Sequence, residues 1–279
     1  MHEPPRPFIT FLTDFGPDAA AAICRGVMIG IARDAQIVDI SHAVRKYQIR
    51  DGAFLLWISL PTMPVGVHVG VVDPGVGTPR RPIGLRTGRG DVLIGPDNGL
   101  LTPAAAALGG IMDARELANP AWMLPRISST FHGRDIFSPM GAHVAIGGAF
   151  EDVGPAIDPA TLVTIDFPEP VVADGTLEAS VVYIDSFGNL RLGGTPADLT
   201  RAFGATPSGT PFVIELEGLE GGPAHVEPAP WARTFGEIPL GKALLYEDSF
   251  GHLAYADNQS DAARRLGARV DQRISIRRP

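Results

Sequence analysis

Between residues 8 and 95, apolar runs of strand length alternate with longer segments of helical periodicity, and this alternation restricts the possible folds more than any other feature. FITFLTDF reads as a buried strand, DAAAAICRGVMIGIAR as a helix, QIVDIS as a strand, QIRDGAFLLWISLPTM as a helix and the β-branched GVHVGVVD as a strand. PIGLRT and DVLIG follow as short strands joined by GRG. Strand, helix, strand, helix, strand implies right-handed crossovers, so the expected first half is an α/β domain: a largely parallel sheet with flanking helices. In open sheets of this kind, ligands bind beyond the carboxyl ends of the strands.

The pattern changes after about residue 150. EDVGPAIDPATLVTIDFPEPVVADG is rich in Pro and acidic residues and reads as a connection between domains. Beyond it lie short β-like segments (LEASVVYID, NLRLGG, PFVIELEG, KALLYEDSF, HLAYADN) and one helix candidate, QSDAARRLG. The expected organisation is an N-terminal α/β domain over residues 1–165 and a smaller C-terminal β-rich domain over residues 175–279. VYIDSFGNL at 182–190 and LYEDSFGHL at 245–253 nearly repeat each other. Two readings stand: a pair of similar hairpins, or two turns facing one ligand.

A chain of 279 residues has room for such a division. The net charge of −8 argues against nucleic acid as the main partner, which would need clustered Lys and Arg. The arginines of ARRLGARVDQRISIRRP are interrupted by acidic residues and read as a solvated helix face and a final strand. No apolar run approaches the roughly 20 residues of a membrane helix, so no membrane association is expected. MHEPPRPFITFLTDF has no signal-peptide pattern, which points to the cytoplasm. Cys24 is the sole cysteine and excludes both an intrachain disulfide and a zinc site of several thiolates. With 33 glycines and 26 prolines the loops should be tight and ordered, because the runs between them are too apolar for disorder.

Several strand ends share one feature, an Asp followed directly by a turn: Asp14 in LTDFG, Asp73 in VVDPGVG, Asp97 in GPDNG, Asp185 in IDSFGN and Asp248 in EDSFG. Each is also ordinary turn or capping chemistry. Gathered at the carboxyl ends of strands, carboxylates suit a ribose diol or a cationic ligand and repel phosphate. VVDPGVGTPRR, at 71–81, can bring a carboxylate and a guanidinium back toward each other, or can simply be a tight turn. No Walker loop, dinucleotide fingerprint, kinase set or metal-spaced histidine pair is present, so neither a cofactor nor a metal is expected. In SSTFHGRDIFSP, His132 precedes a helix-like segment; it either caps and packs there, or accepts a proton from bound water.

Taken together, TDFG at 13–16, IVDISHAV at 37–44, IRDGAFLL at 49–56, VVDPGVGTPRR at 71–81, IGPDNGLL at 94–101 and SSTFHGRDIFSP at 128–139 closely resemble the S-adenosyl-L-methionine (SAM) hydrolase family. That family is also called SAM hydroxide adenosyltransferase and is related to fluorinase and chlorinase enzymes. IDSFGN at 184–189 and DSFGHLAYADNQ at 248–259 extend the resemblance through the second half. It implies water or hydroxide attack on C5′ of SAM, giving adenosine and L-methionine with SAM as substrate and no cofactor. It also implies a homotrimer with active sites between the N-terminal domain of one subunit and the C-terminal domain of its neighbour. The catalytic set carried over is Asp73, Arg80 and His132, with Arg81 a bystander.

Binding roles implied by the same resemblance are Asp14 for the ribose hydroxyls, Tyr47 near the sugar, and Asp185 with Asn189 for the methionine end. Ser249, Phe250, Asn258 and Gln259 would surround adenine. The halide-using relatives have Tyr in place of Asp73 and Tyr-Ser in place of His132 and Gly133, so this chain's Asp, Arg and His favour water as nucleophile. The competing expectations are a non-catalytic SAM or adenosine sensor and a halide-using SAM adenosyltransferase.

Overall fold

The central strands of the first sheet are covered on both faces, which explains why they read as unbroken apolar runs rather than as alternating ones. In chain order the elements are β1 (Phe8–Thr13), α1 (Ala20–Ile31), β2 (Gln36–Ser41), α2 (Ile49–Ser59), β3 (Val67–Val71), β4 (Pro82–Thr87), β5 (Val92–Pro96), α3 (Thr102–Ala107), β6 (Ile111–Glu116) and α4 (Ser138–Ala145). The sheet order is β2-β1-β3-β5-β4-β6. β2, β1, β3 and β5 run parallel, whereas β4 is antiparallel to both neighbours. The short link between β4 and β5 permits only a hairpin, since a parallel crossover needs about a dozen residues.

On one face, Cys24 and Met28 of α1 meet Phe137 and Met140 over Ile9, Phe11, Val69 and Val71. On the other, Leu56 of α2 closes over Gly70 of β3 together with Leu100 and Leu101, which precede α3. The computed structural model describes residues 6–173 and 175–279, so the start of the segment read for a leader, residues 1–5, lies outside the described residues. The chain divides into two compact units, one ending at Asp166 and one beginning at Phe167.

The segment read as an inter-domain connection is, up to residue 166, built into the first unit. The amide of Glu116 donates to the Pro155 carbonyl and that of Ile157 to the Ala114 carbonyl, so this stretch satisfies the open edge of β6. α3 and β6 escaped the sequence reading. Six residues of TPAAAA are too few to show a period, and the edge strand IMDARE is partly exposed and polar.

The second unit comprises β7 (Val171–Ala173), β8 (Thr176–Ile184), β9 (Leu190–Leu192), α5 (Pro196–Phe203), β10 (Val213–Leu216), β11 (His225–Pro228), β12 (Ala243–Glu247), β13 (Leu253–Asp257), α6 (Ala262–Leu266) and β14 (Arg273–Arg277). Its antiparallel sheet runs β11-β10-β14-β8-β9-β13-β12, with β7 beside β8. Residues after β11 nearly close it: Ala229 and Trp231 donate to the carbonyls of Phe212 and Thr210, Ala232 donates to the Leu245 carbonyl of β12, and Leu245 donates to the Pro230 carbonyl. A near-barrel results, filled by Leu177, Val181, Ile214, Leu245, Tyr255 and Ile276. α5, absent from the sequence reading, starts at a capping box of Thr195 and Asp198. The C-terminal arginines form part of α6 and β14, where Arg265 pairs with Asp257 at 2.6 Å and Glu227 at 2.8 Å. No helix among the described residues is long and apolar enough to cross a membrane.

Candidate active site

The strand order β2-β1-β3 creates a switch point. From β1 the chain moves to β2 on one side, then crosses back to β3 on the other, which leaves a crevice between the carboxyl ends of β1 and β3. Asp14 follows β1 and Asp73 follows β3, so both stand at this crevice. They line a pocket of about 240 Å³ with Phe15, Lys46, Tyr47, Phe131 and His132.

The turn after β3 resolves the ambiguity of VVDPGVGTPRR. Val76 N donates to the Asp73 carbonyl and Thr78 N to the Gly75 carbonyl, which tightens the loop. Gly77 has φ +77°, and a Cβ there would strike the Ser129 carbonyl oxygen, so the turn packs directly on the loop leading to His132. Arg80 thereby returns to Asp73. Its Nε donates to Oδ1 at 2.9 Å, and its Nη2 donates to Oδ2. Nη2 also donates to His132 Nδ1 at 2.9 Å.

Arginine has only donors, so His132 Nδ1 accepts and the neutral ring carries its proton on Nε2. Burial and the Arg80 charge push the imidazole below its ordinary pKa, against opposing effects of Asp73 and Asp135. Arg80 Nη1 is buried without a protein partner. A positive donor is thus left unused beside a carboxylate and a neutral imidazole. Arg81 turns elsewhere and pairs with Asp97, whose other oxygen accepts from Val163 N. Both residues therefore hold the segment around 161–163.

Asp14 Oδ2 accepts from the Tyr47 amide at 2.9 Å. Tyr47 adopts the left-handed conformation, φ 67°, a state that costs about 1–3 kcal/mol in a residue with a side chain. The residue is 68% exposed and lines the pocket.

A larger cavity, about 660 Å³, lies in the second unit and is lined by Asp185, Asn189, Ser249 and Gln259 together with Arg191, Phe235 and Tyr246. Both repeat turns reach it. Asp185 Oδ1 accepts from Phe187 N and Asn189 N, and its Oδ2 from Asn189 Nδ2. Asp248 repeats the arrangement in part: Oδ1 accepts from Phe250 N and His252 N, but Oδ2 accepts from Arg191 Nη1. β9 and β13 are hydrogen-bonded neighbours, so the two hairpins lie side by side and face the same space. Phe250 stacks on Arg191 at 4.8 Å without lining the cavity. Asn258 is buried and donates to the Ile238 carbonyl, also away from the lining.

Residues 9–154 match the family model described as the SAM hydroxide adenosyltransferase N-terminal domain, and residues 179–275 match its C-terminal domain. The chain belongs to the SAM hydroxide adenosyltransferase family. It is 42% identical over 273 residues to a protein of Salinispora arenicola named (R)-S-adenosyl-L-methionine hydrolase, covering 97% of each chain. A fluorinase of Nocardia brasiliensis is 30% identical, with 92% of each chain covered. Among solved structures, an uncharacterized conserved protein of Thermotoga maritima superposes with a TM-score of 0.88 at 30% identity, over 97% of this chain and all of the other.

Within this SAM hydroxide adenosyltransferase family member, the sequence reading passed over Lys46 and Phe131 in the first pocket and Arg191, Phe235 and Tyr246 in the second. Arg191 and Tyr246 sit inside strands, where a polar or aromatic residue carries no positional signal; Phe235 sits in a short 3₁₀ turn. Tyr246 is pushed up to about 12 by burial and the Asp185 charge and stays a neutral phenol.

Proposed function

We propose that the protein hydrolyses S-adenosyl-L-methionine to adenosine and L-methionine. The observation that carries this reading is that Asp73 and His132 line one small pocket and are joined by Arg80, whose Nη1 is buried without a protein partner. The activity named for the Salinispora arenicola relative supports it.

The chemistry follows from the substrate. Attack at C5′ forms a C–O bond and breaks the C5′–S bond. The electron pair goes to the sulfonium sulfur, which leaves as a neutral thioether and needs no general acid. Water is the weak participant. Arg80 Nη1 donates to its oxygen and favours hydroxide character. His132 donates from Nε2 and orients it, because Nδ1 is already engaged by Arg80. Once oxygen is bonded to carbon its proton is strongly acidic, so Asp73, a carboxylate lining the pocket, suffices to pass it to solvent. Held in line behind C5′, the nucleophile gains the advantage of an intramolecular reaction.

Asp14 takes the ribose hydroxyls and Tyr47 covers the sugar. Asp185 and Asn189 hold the methionine end, while Ser249, Phe250, Asn258 and Gln259 surround adenine, Phe250 and Asn258 by shaping the wall from behind. A pocket of about 240 Å³ is smaller than the ~300–1,000 Å³ typical for a ligand of this size, which suits a site that holds only the sugar and reacting carbon. We therefore also propose the homotrimer, each active site combining the first unit of one subunit with the second unit of its neighbour.

Incubating pure protein with SAM should release adenosine, detected by chromatography, with chloride or fluoride making no halogenated nucleoside. Protein that binds SAM yet yields no adenosine above the enzyme-free control would instead be a sensor. A light-scattering mass of one chain would end the trimer.

A further inference from the structure

His132 stands at the start of an unusual piece of backbone. Residues Gly133–Phe137 form a π-helical turn, a rare form concentrated at functional sites, which runs directly into α4. Ser138 closes it, with Oγ donating to the Gly133 carbonyl at 2.7 Å. Gly133 has no Cβ to keep Phe15 away; one placed there would sit 3.0 Å from the ring. Phe137 lies under the Arg80 guanidinium, 5.2 Å from its carbon. The turn therefore supports two of the three side chains of the site.

Inside it is a carboxylate that the reaction described above does not use. Asp135 is completely buried. Its Oδ2 accepts from the Ser128 amide at 2.8 Å and from Arg134 Nη2 at 3.1 Å, and its Oδ1 accepts from Arg134 Nε at 2.6 Å. The Asp135 amide donates to Phe131 O, and its carbonyl accepts from Leu124 N. Four points of the segment 124–134 are thus tied to one residue. Arg134 lies over the Phe131 ring at 4.9 Å, and Phe131 meets Phe15 edge-on in the pocket wall.

We propose that Asp135 is a positioning residue for His132: its buried carboxylate clamps the loop from Ser128 to the π-helical turn and sets where the imidazole stands relative to Arg80 and Asp73. The proposal rests on the hydrolase reading. Burial raises the Asp135 carboxyl, but Arg134 and the Ser128 amide outweigh burial and keep it below the usual range, so the clamp is ionised at neutral pH. Its charge also raises His132. The other titratable or charged groups facing this region are Asp73, Arg80 and Arg134, Lys46 and Asp14 in the pocket wall, and Cys24 of α1 beside Ser138.

The test compares wild type, Asp135→Asn and Arg134→Gln. Asparagine keeps the shape and an acceptor for Ser128 but removes the charge. We expect kcat for adenosine release to fall about tenfold, with KM for SAM within about twofold, as a small displacement of a working group would produce. The His132 titration midpoint, followed by NMR of labelled imidazole, should fall by about half a unit to one unit. Arg134→Gln leaves the carboxylate but loosens it. Being partly exposed, Arg134 is replaceable without loss of the fold; kcat should fall while the midpoint stays or rises.

Unchanged kcat in both variants, or a D135N midpoint equal to that of wild type, would overturn the proposal, even if either variant melted at lower temperature. Wild-type protein that released no adenosine would remove the hydrolase reading. The NMR midpoint would still decide whether Asp135 acts on His132.

Discussion

Asp73 in the first pocket and Asp185 in the second use the same strand-end carboxylate in opposite ways. In the first unit, Asp73 is answered by a side chain, Arg80, returned from seven residues along the same turn and shared with His132. In the second, Asp185 is answered by the amides of its own turn and by the Asn189 side chain, whereas Asp248 takes turn amides on Oδ1 and the Arg191 guanidinium on Oδ2. A carboxylate filled by its own backbone shapes a wall. One filled by a guanidinium leaves further donors of that guanidinium for another molecule. On the proposed function, the contrast between Asp73 and Asp185 separates a reacting centre from a binding surface, although the residue type and the turn chemistry look alike.

The sharpest way to break this comparison is Arg80→Lys. Lysine keeps the charge but cannot span Asp73, His132 and a water at once. Turnover should fall by about 10²–10³, the scale of losing one charge-stabilising donor, with SAM binding by calorimetry nearly retained. A rise in KM at constant kcat would place Arg80 with the binding residues. Gly77→Ala comes next: strain at φ +77° and collision with Ser129 O should displace the His132 loop and cost about 1–3 kcal/mol, read as a loss of kcat with a lower melting temperature.

On the other side, Asp185→Ala removes acceptors from two amides and the Asn189 side chain. Stability to urea should fall by about 1.5–3 kcal/mol, with the kinetic change mainly in KM. A large kcat effect with KM unchanged would erase the distinction. The smallest expected effect is in pH. Burial and the Arg80 charge hold His132 below the ordinary 6.5, so its ring is neutral at neutral pH. Activity should decline only as pH falls below 6.5, when a proton on Nδ1 displaces the Arg80 bond. An acid limb above pH 6.5 in kcat/KM would show that another group titrates.

Much of the fold is visible in the chain itself. The β1 to β5 alternation is legible because buried parallel strands are β-branched and continuous while their helices carry a 3.6-residue period. α5 was legible too, in hindsight, through Thr195, Pro196 and Asp198, a capping box that the β-like surroundings obscured. The 151–166 segment misled because Pro and Asp mark turns equally well in a linker and in a chain laid against a sheet edge; only the hydrogen bonds to β6 distinguish them. In the site, Asp14, Asp73 and His132 were recognisable by type, position and family resemblance. Phe235, Tyr246 and Arg191 were not, because they come together in one cavity wall only where β9, β12 and a 3₁₀ turn meet.

The sequence alone therefore determined the layered first half, the β-rich second half and the chemical inventory, since periodicity and turn residues are local properties. Tertiary structure decided which aspartates face a guanidinium and which face amides, that Arg80 rather than Arg81 turns toward His132, and which imidazole nitrogen accepts. Those outcomes depend on distances between residues as far apart as 80 and 132. No local preference encodes such a distance, because it exists only after the sheet has brought the ends of its strands together.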